Sequence, residues 1–145
     1  MIRREHQKHW FRASDAVRVG TDSFYLDEIT LLNDQGITIG DRVSIGAGCW
    51  LNGFGGITIG TDTMIGPGVF VHSANHKIVG CCVDPDEWDE RPVTIGSGCW
   101  IGAGCIVLPG TTLDDGCVVG AGSVLHGHYG PGVVCGPKAR EMETA

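Results

Sequence analysis

Ile95-Gly96-Ser97-Gly98-Cys99-Trp100, Ile101-Gly102-Ala103-Gly104-Cys105-Ile106, Val107-Leu108-Pro109-Gly110-Thr111-Thr112, Leu113-Asp114-Asp115-Gly116-Cys117-Val118 and Val119-Gly120-Ala121-Gly122-Ser123-Val124 are consecutive blocks of six residues. Each opens with an aliphatic side chain and carries Cys, Thr or Ser in fifth place. The same beat returns at Ile39, Ile45 and Leu51, and at Ile59, Ile65 and Val71. Period six matches neither a helix, with about 3.6 residues per turn, nor plain strand alternation over the whole block. It matches a short strand followed by a tight turn, three times per coil, stacked into a triangular prism. The opening aliphatic residue then points into the prism, and the small fifth residue points into its narrow part.

A longer period lies over the short one. Val19-Gly20-Thr21-Asp22, Ile39-Gly40-Asp41-Arg42 and Ile59-Gly60-Thr61-Asp62 follow one another at intervals of twenty residues, three hexads plus two. The chain therefore divides into an N-terminal segment at 1–18, a β-helix at 19–136 and a C-terminal tail at 137–145. Hexads stop after Val71-His72-Ser73-Ala74-Asn75-His76 and resume at Pro92-Val93-Thr94-Ile95. Residues 77–92 are expected to leave the prism at a corner as one protruding loop, where an acidic segment bearing Trp88 can wall a groove.

Composition supports this division. The 145 residues include 24 glycines, roughly twice the usual share, without the every-third spacing of collagen. They mark turns. A formal net charge of -7 disfavours a nucleic-acid or anionic-membrane surface. The basic opening Met1–Trp10 is expected to be a solvated arm or a first helix, with a contact for phosphate as the alternative. No apolar run is long enough to span a bilayer, and nothing resembles a signal peptide, so the expected location is the cytoplasm. Of the 7 cysteines, Cys49, Cys99, Cys105 and Cys117 fall in fifth place and are expected to be core filler. The adjacent Cys81 and Cys82 lack CxxC spacing, and no metal site is expected.

Several residues carry possible chemistry. By the twenty-residue alignment His76 takes the corner position of Gly36 and Gly56, beside the departing loop. An imidazole is a natural general base at neutral pH. Asn75 and Asn52 are candidates to hold a carbonyl oxygen or orient a substrate. His72 either shares a wall of the site or covers a face. Asp84, Asp86, Glu87, Asp89 and Glu90 are candidates to orient the imidazole, as are Asp15 or Asp27 across an interface. Trp100, Gly102 and Ala103, with Gly120 and Ala121 one coil later, suit a smooth groove in which a pantetheine arm finds backbone amides. Lys138 and Arg140 would then meet nucleotide phosphates.

Ile65-Gly66-Pro67-Gly68-Val69, Ser73-Ala74-Asn75-His76, Pro92 to Gly104, and Val107-Leu108-Pro109-Gly110-Thr111-Thr112-Leu113 with Val119 to Val124 together resemble the hexapeptide-repeat acetyltransferases of the maltose/galactoside O-acetyltransferase and nodulation-acetyltransferase type. The likeness spans roughly residues 39–138. It implies an all-β, left-handed parallel β-helix, a homotrimer with active sites between subunits, and acetyl-CoA as acyl donor. It also implies that His76 is the general base for direct attack of a sugar or related small-molecule hydroxyl on the thioester, with Trp100 lining the donor site. Two departures stand out. Lys77 follows the histidine where proline is common, and Gly136-Pro137-Lys138-Ala139-Arg140 is a shortened form of the family's closing motif. Four other readings are open on the sequence: N-transfer, a longer acyl-CoA donor, a zinc-dependent β-helix hydratase, and a non-catalytic assembly protein.

Overall fold

In the computed structural model, which describes residues 7–11, 16–135 and 140–141, the hexads are stacked parallel strands of two or three residues. They build three sheets, the three faces of a prism. The first face runs from Phe24–Leu26 through Ser44–Ile45, Met64–Ile65, Trp100–Ile101 and Cys117–Val119 to Gly132–Cys135. The second runs from Thr30–Leu32 through Trp50–Asn52, Phe70–His72 and Ile106–Val107 to Val124–Leu125. The third runs from Arg18–Val19 through Ile37–Ile39, Ile57–Ile59, Val93–Ile95 and Thr112–Leu113 to His128–Tyr129. The chain visits the faces in that order on every coil. Lys8–Trp10, from the basic opening, is a strand lying antiparallel on Phe24–Leu26. It is neither a free arm nor a helix, and Lys8 Nζ sits 3.7 Å from the Phe24 ring centre.

Like sits on like along the axis. Ile45, Ile65, Ile101 and Val119 are in register on the first face. Leu51, Val71, Val107 and Leu125 are in register on the second. All but Ile65 and Val119, which are nearly so, are sealed from solvent. The fifth-place residues serve the narrow interior by hydrogen bonding to corner carbonyls: Cys49 Sγ donates to Gly66 O, Cys105 Sγ to Gly120 O, and Thr63 Oγ1 to Gly96 O. Burial pushes these thiols up, Cys117 to about 11, so they stay protonated and inert. Ile101→Ala, which empties a site with no room to collapse, is expected to cost about 2–5 kcal/mol by urea denaturation.

The two-residue extension and the interruption fall at one corner, between the second and third faces. In successive coils that corner is a short 3-10 turn at Asp34–Gly36, a turn at 53–56, and then a β-hairpin of Ala74–Val79 paired with Cys82–Glu90. The chain leaves the prism at Ser73 and returns at Arg91, whose N–H donates to Ser73 O at 2.9 Å. The off-beat segment is thus an extended hairpin that starts before His76. Val93 pairs with Ile57, so Pro92 stacks over Gly56 and occupies the corner position that sequence alignment assigns to His76. The alignment fails there because the coil is closed by the returning strand, and a hexad count cannot see the excursion.

Candidate active site

His76 stands on the first hairpin strand, exposed, opposite Trp88 on the second, with ring centres 3.9 Å apart. Trp88 in turn lies 5.3 Å from Phe54 in the corner turn of the preceding coil. The indole therefore braces the imidazole against the prism. Just beyond His76 the register breaks, and Asp84 to Glu87 bulge outward. Asp84 Oδ1 accepts from the backbone N–H groups of Asp86 and Glu87, an Asx turn that competes with the ladder, and Pro85 has no N–H to offer it. A bulge of this kind re-aims the side chains next to it.

Asn52 is 9% exposed and lies at the same corner. Its Oδ1 accepts from Asn33 Nδ2 at 2.8 Å and from Phe54 N at 3.1 Å, so the carboxamide orientation is set by its neighbours and its Nδ2 is turned away from both donors. The same corner thus holds Asn52, Phe54, Trp88 and His76 in one contact chain. Asn33 has no place among the residues singled out from sequence. Its signal was that it follows Leu32, the residue twenty before Asn52. Asn75 is different. Its cross-strand partner is Asp89, and strand alternation puts its side chain on the face of the hairpin opposite His76.

None of the described acids bonds His76. Glu87 is paired with Lys77 at 2.7 Å, Asp89 with Arg91 at 2.7 Å, and Asp84 holds its own turn. Asp15 lies outside the described residues.

On the outer side of the second face, beside Asn52, His72 sits 5.5 Å from Trp50 and 5.8 Å from Phe70 by ring centres, and those two rings stack at 4.2 Å. Burial lowers the His72 pKa from the ordinary 6.5. The unfolded chain then binds more protons than the folded one between that lowered value and 6.5. Stability contributed by the neutral ring is present above about pH 6.5 and lost as pH falls through the window. The urea midpoint is expected to fall more between pH 7.5 and 5.5 in the wild type than in His72→Gln.

A second corner, between the first and second faces, carries the residues expected to form a groove. Trp100 is 56% exposed on the outside of the first face, in register between Met64 and Val118. Gly102 and Gly120 do not offer donors, because their N–H groups are taken by Val119 O and Val134 O. Gly102 acts sterically instead: a Cβ there would meet Ala121 N at 2.6 Å. The open donors belong to Ala103 and Ala121, both exposed, whose N–H groups bond to none of the described residues. The contrast with the corner between the third and first faces is informative. There the equivalent N–H groups of Thr21, Asp41 and Ser97 are taken by Asp41 Oδ1, Thr61 Oγ1 and Asp115 Oδ1 of the next coil. One coil beyond Ala103 stands Ala121, whose side chain cannot accept, so the Ala103 amide stays open beside an exposed indole, and the Ala121 amide has no partner among the described residues either. Such a strip suits the amide-bearing arm of coenzyme A. Lys138 lies outside the described residues.

Residues 36–73 match the family described as hexapeptide repeat of succinyl-transferase, and residues 92–127 match bacterial transferase hexapeptide (six repeats). The chain belongs to the hexapeptide-repeat acetyltransferase family. It is 42% identical over 81 residues to nodulation protein L of Rhizobium leguminosarum bv. viciae, covering 52% of this chain and 40% of that protein. It is 26% identical over 125 residues to the galactoside O-acetyltransferase of Escherichia coli K12, covering 86% of this chain and 52% of that protein. Against the crystal structure of a hexapeptide-repeat acetyltransferase from Vibrio cholerae O1 biovar eltor complexed with acetyl coenzyme A, the TM-score is 0.77 at 27% identity, over 86% of this chain and 69% of the other. The chain spans about half the length of the curated relatives it matches. Its prism is the left-handed parallel β-helix of these structural relatives. Among the described residues no helix is long and apolar enough to cross a membrane, and no group of three or more His, Cys, Asp or Glu side chains is placed to hold a metal ion.

Proposed function

We propose that this protein is an acetyl-CoA-dependent O-acetyltransferase acting on a hydroxyl of a sugar or related small molecule, with His76 as general base. The observation that carries this reading is the exposed imidazole of His76, braced by Trp88 at the corner where Asn52 is also held. A side chain in that position takes a proton from an attacking hydroxyl without a covalent enzyme intermediate. The preset carboxamide of Asn52 orients the acceptor or bonds the oxygen on which charge develops. The donor lies against Trp100, its amides on the open N–H groups of Ala103 and Ala121.

The active form we propose is a homotrimer with sites between subunits. The exposed apolar side chains Met64 and Trp100 on one face, and Leu32, Ile106 and Val124 on the next, favour a second copy of the prism as their cover. The missing orienting group for His76 would then come from a neighbouring subunit. A thiol-release assay with acetyl-CoA over a panel of neutral sugar and polyol acceptors, read beside the sedimentation mass, tests both statements. Acceptor-dependent CoA release from a trimer is expected. A monomer, or release that no acceptor stimulates, would end this reading.

A further inference from the structure

His72 is the one titratable residue in the strands of the second face, and the general-base mechanism leaves it without a task. It stands in register with Asn52 on the neighbouring strand, two residues before the hairpin begins at Ala74. Its Nδ1 is buried with no partner, the single side-chain nitrogen or oxygen among the described residues in that condition. Its Nε2 has no hydrogen-bond partner among the described residues and is not among the sealed atoms.

These two facts decide where the proton resides. A buried N–H without an acceptor is rarer and costlier than an under-used lone pair. The proton therefore belongs on Nε2, and Nδ1 keeps its lone pair. Protonating Nδ1 as well would seal an unpaired, charged N–H in the sheet. The ring lies against Trp50 and Phe70, Asn52 stands in register on the neighbouring strand, none of the three carries charge, and burial is the cause that lowers its pKa.

We propose that His72 is, at neutral pH, an uncharged Nε2–H donor that binds an uncharged oxygen of the acyl acceptor beside Asn52, and so selects neutral hydroxyl-bearing acceptors over carboxylate- or phosphate-bearing ones. An imidazolium in the same place would favour the anionic acceptors. The role rests on the acyl-transfer reading, but its chemical core, the fixed tautomer, is independent of it.

Two measurements test it. Nitrogen-15 correlation spectra of the labelled full chain should show His72 as the Nε2–H tautomer at pH 7 to 8, with its protonation displaced below the ordinary 6.5. A ring that titrates at the ordinary value, or an Nδ1–H tautomer, overturns the proposal whether or not an acceptor has been found. In kinetics, His72→Phe keeps a flat ring against Trp50 and Phe70 but removes the donor, and should raise the acceptor KM about tenfold with the acetyl-CoA KM unmoved. His72→Gln, whose amide nitrogen reaches the place of Nε2, should restore the acceptor KM to within about threefold of wild type. A wild-type acceptor KM in His72→Phe, alongside an inactive His76→Ala, defeats the role of His72 alone. A fully active His76→Ala defeats the general-base assignment instead.

Discussion

His76→Ala is expected to fold and assemble as the wild type does, while its acetyl-transfer rate drops about 10²-fold or more. The two halves of that expectation have separate grounds. Truncating His76 removes one ring contact with Trp88 on an exposed hairpin and opens no cavity in the prism, whose sealed core is made of other residues. Surface changes of that kind usually stay within about 0.5 kcal/mol. The rate loss follows from the chemistry. An acceptor hydroxyl is a poor nucleophile until its proton is drawn off, and no described acid or second base bonds His76 or shares its contact with Trp88. The drop should fall on kcat, since the imidazole acts on a proton in flight more than on a bound group. Steady-state rates of CoA release, with far-ultraviolet circular dichroism on the same preparation, check both halves. Unchanged turnover in a well-folded variant would remove His76 from the mechanism.

Ala103→Pro and Ala121→Pro should each raise the KM for acetyl-CoA about ten- to a hundredfold while leaving the melting temperature nearly unchanged. Proline is tolerated at this corner for a specific reason: Pro67 occupies the same position one coil below Ala103, because Ile65, Ile101 and Val119 are in register. The residue before each site is glycine, which accepts the restriction that proline imposes on its predecessor. No hydrogen bond among the described residues is lost, as neither N–H is used there. What disappears is one open donor to the pantetheine arm, and a pyrrolidine ring now stands in its path. One hydrogen bond to a ligand is worth roughly tenfold, and obstruction adds to it. Equilibrium binding of CoA, measured by calorimetry, should show the same loss. Wild-type affinity in both variants would place the donor elsewhere.

The sequence displayed its core more plainly than its site. Ile45, Ile65, Ile101 and Val119 could be assigned inward because a short strand and a turn recur every six residues on either side of the interruption, and the twenty-residue recurrence of Ile39 and Ile59 predicted which residues stack. Cys49, Cys99, Cys105 and Cys117 were legible as filler for the same reason. At the site the period itself is broken, and reading by period fails with it. The hexad count put His76 in a corner that Pro92 fills, and it carried no sign that strand alternation turns Asn75 to the face opposite His76. It also treated Gly102 and Ala103 as equivalent members of one groove, whereas coil stacking consumes the first amide and spares the second.

By itself, then, the sequence determined the prism, its inward residues and the one place where the chain departs from it, because those depend on a repeating local geometry that each hexad states anew. Which nitrogen of His72 is sealed, which amides Ala103 and Ala121 leave open, and how Trp88 joins His76 to the corner of Asn52 were decided only by the tertiary structure. These are relations between residues brought together by coil stacking and hairpin return, and no local period encodes them.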